Sequence, residues 1–153
     1  MKSELDALFA AREQQRKSEE AAARQKAQAA SERKERVIRI FQTQVESVLG
    51  QTVNELLQRG EEANISHSFD APNPFVTLEV RIGNGSRPSY QHSTLKFQML
   101  MNGYIQVTYV VWGVKGKNES FEPNAPTISS EEISQEWCKK HVLNFIAEVL
   151  SRI

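Results

Sequence analysis

The chain has 153 residues, about the size of one domain. Its 19 Lys and Arg balance 19 Asp and Glu, so the totals lack the basic excess of a polyanion-binding face and argue against nucleic acid as a partner. A single cysteine excludes an internal disulfide, and the longest apolar run, Val110-Val111-Trp112, is far too short to cross a bilayer.

The first residues, Met1-Lys2-Ser3-Glu4-Leu5-Asp6, hold no apolar stretch of the kind a secretory signal needs, so the expected compartment is the cytoplasm, with no membrane partner. Without a secretory route, the Asn-x-Ser triplets at Asn64, Asn84 and Asn118 are chance matches. Leu5, Leu8 and Phe9 follow at helical spacing. They either start a helix that packs on its own domain or form a short anchor for a partner's groove.

From Ala10 to Arg36 there is no Leu, Ile, Val, Phe, Met, Tyr or Trp, and neither Gly nor Pro. Ala, Glu, Gln, Lys and Arg dominate, and these are strong helix formers. Glu13 and Lys17, Glu20 and Arg24, Glu32 and Arg36, and Glu35 and Arg39 stand four apart with the acid first. Such pairs add about 0.2–0.5 kcal/mol each to a helix. Apolar heptad positions are missing, so a solvated single helix is expected rather than a coiled coil. Residues 1–36 read as a polar helical arm and residues 37–153 as one packed domain.

At Val37 the pattern changes. Val37, Ile38, Phe41, Val45, Val48, Leu49, Val53, Leu56 and Leu57 recur at spacings of three and four, and Gly60 supplies the stop. Beyond it the period becomes two. Ile65, His67 and Phe69 suit one face of a short strand ended by Pro72 and Pro74. Phe75 to Ile82 alternates, with Val76, Leu78, Val80 and Ile82 inward. After a Gly83–Pro88 loop, a strand over about 91–100 points Leu95, Phe97 and Met99 one way, and a strand over 104–114 does the same with Ile105, Val107, Tyr109 and Val111.

Parity fixes the turn between these last two strands. A two-residue Asn102-Gly103 loop sets Met99 opposite Gln106 and mixes core with surface. A three-residue Met101-Asn102-Gly103 loop pairs Met99 with Ile105, Phe97 with Val107 and Leu95 with Tyr109, with Gly103 where a left-handed residue belongs. The opposite face then gathers Glu79, Arg81, Lys96, Gln98, Gln106 and Thr108 beside Tyr104, and reads as an ordinary solvated face with cross-strand pairs such as Glu79 with Lys96.

Residues 115–127 read as a polar loop pinned by Phe121. Ser129 or Ser130 is expected to cap a last helix, with Glu131 and Glu132 in its first turn and Ile133, Trp137, His141, Phe145, Val149 and Ile153 along one stripe. The fold expected is α+β: a long N-terminal helix, a three- to four-stranded antiparallel meander and a C-terminal helix, with both helices on one sheet face.

Few residues suggest chemistry. Cys138 and His141 are three apart on the last helix, and a thiolate–imidazole pair can be nucleophilic or bind metal. A zinc site needs four ligands, however, and His67 and His92 sit on separate strands, so no metal or cofactor is expected. Gly83-Asn84-Gly85-Ser86 lacks the glycines or lysine of a nucleotide loop. Gly113-Val114-Lys115-Gly116 matches the KH-domain loop by letters only. The reading favoured is a non-enzymatic protein-interaction module, adaptor or chaperone-like, whose partner is another protein or a second copy, with Leu5, Leu8 and Phe9 as contact residues. The alternative is a small-ligand-binding or enzymatic domain with a pocket between sheet and C-terminal helix, lined by Tyr109, Trp137, Cys138 and His141.

Overall fold

The computed structural model describes residues 1–83, 92–112, 118–121 (as backbone) and 127–152. The loop expected after Gly83, the glycines at 113 and 116, the side chain of Phe121 and the terminal Ile153 therefore lie outside the described residues. By contact, the chain divides into two compact units, Met1–Glu35 and Arg36–Ile153.

The first unit is all helix, part of α1 (Lys2–Ile40), and every residue from Met1 to Glu32 is exposed. With no apolar burial available, the helix rests on backbone propensity and on side chains one turn apart. Arg16 bonds both Glu13 and Glu20, the latter at 2.8 Å, and Gln15 and Gln28 donate to Glu19 at 3.2 Å and Glu32 at 3.3 Å. Ion pairing thus centres on Arg16, whose forked guanidinium reaches acids on both sides, rather than on the Glu13–Lys17 and Glu20–Arg24 spacings.

The second unit begins with the end of α1, where Val37 is buried. A π turn over Phe41–Val45 follows, then α2 (Glu46–Gln58). The sequence pattern suggested one unbroken α-helix here. The buried residues Val37, Phe41 and Val45 are spaced by fours, and each such step in an α-helix drifts about 40° around the axis. The wider turn takes the drift back and keeps all three on the core. At the far end, Glu61 N–H donates to Leu56 O at 2.9 Å and Gly60 N–H to Leu57 O at 3.0 Å, with Gly60 at φ +80. This double closure is the glycine stop expected from the sequence.

The sheet contains β1 (Glu62–Ser68), β2 (Phe75–Arg81), β3 (Ser93–Met99), β4 (Tyr104–Trp112), β5 (Asn118–Phe121) and β6 (Ile128–Ser129). The first five form an antiparallel meander in chain order, and β6 joins the same side of β4 as β5, pairing at Tyr104 and Ile105 while β5 pairs at residues 109–112. The class is α+β as expected, but β5 comes from the stretch read as loop, and β6 takes Ser129, which was read as a helix cap. Four residues and two residues are too few to show a period in sequence.

The β3–β4 register is the one that parity selected, with Met99 opposite Ile105, Phe97 opposite Val107 and Leu95 opposite Tyr109. Leu100 N–H donates to Tyr104 O at 2.8 Å across the three-residue loop, and Gly103 has φ 84. On the other face the β2–β3 register sets Glu79 opposite Thr94 and Lys96 opposite Thr77. The expected Glu79–Lys96 pair is therefore diagonal, and Lys96 Nζ instead lies 4.4 Å from the centre of the Phe75 ring.

Ser129 caps only a short 3-10 turn, Ser130–Glu132. The last helix, α3 (Gln135–Ser151), starts five residues later than Ser129 suggested, because Ser134 Oγ accepts from Trp137 N–H at 3.1 Å and takes the capping role. Glu136, rather than Glu131 and Glu132, is the acid in its first turn.

One core joins these pieces. Val37, Phe41, Val45, Val48, Leu49 and Leu56 from the helices before the sheet, and Cys138, Val142, Phe145 and Val149 from α3, pack with Val76, Leu78, Val80, Leu95, Phe97, Met99, Ile105, Val107, Tyr109 and Val111. Within each strand the residues named alternate to one side, and the register sets them opposite one another from strand to strand, so the helices cover a single sheet face. Leu57, assigned to the buried stripe by its spacing, is instead 53% exposed. In the same turn of α2 it is Leu56 that takes the buried side.

Candidate functional site

Three of the four residues expected to line a pocket, Tyr109, Trp137 and His141, meet, and the fourth, Cys138, is buried in the core. Tyr109 projects from β4 toward α3, where its hydroxyl donates to His141 O at 3.1 Å and lies 3.4 Å from His141 Nδ1. With the phenol proton on the carbonyl, the contact to the ring is satisfied when Nδ1 carries the imidazole proton. One turn earlier, Trp137 packs edge-on against His141, with ring centres 4.5 Å apart, and also against Phe97 at 5.6 Å. Phe145, one turn later, tilts against Tyr109 at 5.6 Å. A spacing of four on α3 brings Trp137, His141 and Phe145 to the same strip of sheet.

Burial governs the chemistry of this cluster. Cys138 is completely buried and its thiol is pushed up to about 12, chiefly by loss of water. Tyr109 is pushed up to about 12 by burial and, less, by the charge of Glu148. His141 is shifted the other way, below its ordinary value, by burial and by nearby Lys140. At neutral pH the thiol is therefore a thiol and the imidazole is neutral. A nucleophilic cysteine needs the opposite arrangement, an exposed thiolate beside a positive group. Among the described residues no group of three or more His, Cys, Asp and Glu could hold a metal ion.

The second set of expected residues behaves differently. Leu5 is 45% exposed, Leu8 66% and Phe9 67%, and Met1 on the same helix face is also exposed. Four apolar side chains at positions 1, 5, 8 and 9 share one stripe of a helix. No helix among the described residues is long and apolar enough to cross a membrane.

Two hollows open on the second unit. One, of about 290 Å³, lies between α2 and α3 and is lined mainly by Val48, Leu56, Val142, Leu143 and Ile146, with Lys139 among its polar residues. The other, of about 270 Å³, lies at the start of β1 among Leu57, Glu62, Ala63, Asn64, Glu79 and His92. Neither is lined by Tyr109, Trp137, Cys138 or His141. The sequence pattern put the exposed Leu57 on the buried stripe and left the exposed Leu143 and Leu150 unremarked. For the last two a signal was present, because both fall off the stripe traced by Trp137, His141, Phe145 and Val149.

No protein-family model, no curated protein and no solved structure matches the chain.

Proposed function

We propose that the protein is a non-enzymatic interaction module, adaptor or chaperone-like, that takes hold of another protein through the apolar face of its N-terminal helix. The observation that carries this reading is the exposed stripe of Leu5, Leu8 and Phe9 on a helix with no core of its own. Exposed leucines scattered singly need no explanation, but anchors at helical spacing are how a helix occupies an apolar groove. The interleaved acids and bases of residues 10–36 give that helix solubility without the one-signed field that draws a polyanion.

The packing of Tyr109, Trp137, Cys138 and His141 favours the same conclusion. The contacts of His141 with Tyr109 and Trp137, and the complete burial of Cys138, suit a role in holding α3 to the sheet better than one in lining a ligand site. The cytoplasm, where thiols stay reduced, suits a chain whose one cysteine is free.

The test is co-purification of the full-length chain with quantitative mass spectrometry, comparing wild type with a Leu5→Ala, Leu8→Ala, Phe9→Ala triple variant. Loss of specific partners is expected, with folding free energy changed by less than about 0.5 kcal/mol because the three sites are exposed. Retention of every co-purifying protein by the triple variant would remove the anchor reading.

A further inference from the structure

The two edges of the sheet are built differently. On the β4 side the outer strand is broken into β5 and β6, of four and two residues. The opposite edge is β1, seven residues long, with no strand on its outer side among the described residues. Edges that must stay single are usually short, bulged, or guarded by Pro or Lys. β1 has no Pro, Gly or Lys, and its pairing with β2 runs unbroken from Glu62 opposite Arg81 to Ser68 opposite Phe75.

This edge is complementary to itself. In an antiparallel pairing centred on Ile65, Asn64 faces Ser66 of the second copy, Ala63 faces His67, and Glu62 faces Ser68. No like charges are opposed, and the half-buried Ile65 side chains meet at the centre.

The helix beside the edge supplies an independent observation. α2 runs antiparallel along β1, with Glu46 Oε1 2.8 Å from His67 Nδ1 at one end and Leu57 beside Glu62 and Ala63 at the other. Gly50 lies between, on the α2 face that also carries Glu46, Val53 and Leu57. A β-carbon built on Gly50 has no neighbour within 4 Å. The protein's own packing thus does not require glycine, which weakens a helix interior relative to alanine. A two-fold axis through Ile65 does require it. Strands pair about 4.8 Å apart whereas packed helices keep 8–10 Å, so two helices riding on neighbouring edge strands are crowded where they pass. Gly50 sits at that midpoint.

We infer that two copies of this chain join edge to edge through β1, merging two six-stranded sheets into one of twelve. The α2 helices pass closest at Gly50, and Leu57 and Ile65 lose their remaining exposure. The interface is separate from the N-terminal anchor and does not depend on it.

Sedimentation velocity of the full-length chain at micromolar concentration tests this. Wild type is expected at the mass of two chains. Gly50→Leu is expected to halve that mass while leaving the far-ultraviolet circular dichroism of the fold unchanged, because a β-carbon at that position meets no neighbour within the chain. The Asn64→Lys, Ser66→Lys double variant, which sets lysines opposite each other across the pairing, is expected to do the same. Ile65→Cys is expected to form a disulfide-linked dimer with oxidised glutathione, whereas wild type, with only buried Cys138, does not. The Leu5→Ala, Leu8→Ala, Phe9→Ala variant should keep the two-chain mass, which separates this interface from the anchor. A one-chain mass for wild type, a two-chain mass for both the Gly50→Leu and the double-lysine variants, or loss of the dimer in the anchor variant would each overturn the assignment.

Discussion

Residues 10–36 and residues 37–57 are both helical, yet they are held by different forces. The earlier stretch is exposed almost throughout and is held by helix-forming residues and by contacts such as those of Arg16 with Glu13 and Glu20. The later one is pinned by side chains without exposure, among them Val37, Phe41, Val45 and Leu49. Local pairs act over one turn, so damage to them stays local. A shared core couples every element that touches it, so damage there is felt by all.

The contrast can be broken most forcefully inside the core. Phe145 has no exposed surface and packs on Tyr109, and Phe145→Ala is expected to cost about 3–5 kcal/mol, much of the stability of a typical domain. Urea unfolding followed by tryptophan fluorescence checks this, since Trp137 lies on the same helix. A smaller and differently distributed effect is expected from Ala22→Pro. Proline costs an interior helix roughly 3 kcal/mol locally. Helical circular dichroism should fall while the urea midpoint of the core stays put. A shift in that midpoint would mean that the two stretches are more strongly coupled than their burial indicates.

The smallest effect expected is one of pH. In the unfolded chain His141 takes up its proton near the ordinary value of about 6.5, but in the folded protein it does so only at lower pH, because burial and Lys140 oppose the charge. Between those values the unfolded state binds more protons, so stability falls as pH drops from about 6.5. His141→Leu should flatten that acid-side slope in urea titrations run across the window. An unchanged slope would place the pH dependence elsewhere.

Much of this architecture was legible from residue order alone. The change at Val37, the glycine stop at Gly60 and the three-residue turn at Gly103 all follow from periodicity and backbone freedom, which are local properties. What escaped was set by distance between elements or by competition among near-equals. The π turn answers a drift that matters only once Val37, Phe41 and Val45 must face one sheet. Ser134 wins the cap from Ser129 because β6 takes Ile128 and Ser129 first. The meeting of Tyr109 with His141 was within reach, since strand parity and helix spacing each point a side chain inward. The hollow beside β1 was not, because Leu57, Asn64 and His92 belong to separate segments whose approach no local pattern encodes.

The burial of Cys138 gives the molecule a built-in clock. It is the only thiol in the chain, it faces no water, and its proton is held too tightly for attack on a reagent. Alkylation must wait for α3 to lift from the strands. The slow appearance of the labelled species counts those openings one molecule at a time, with no cysteine having to be introduced.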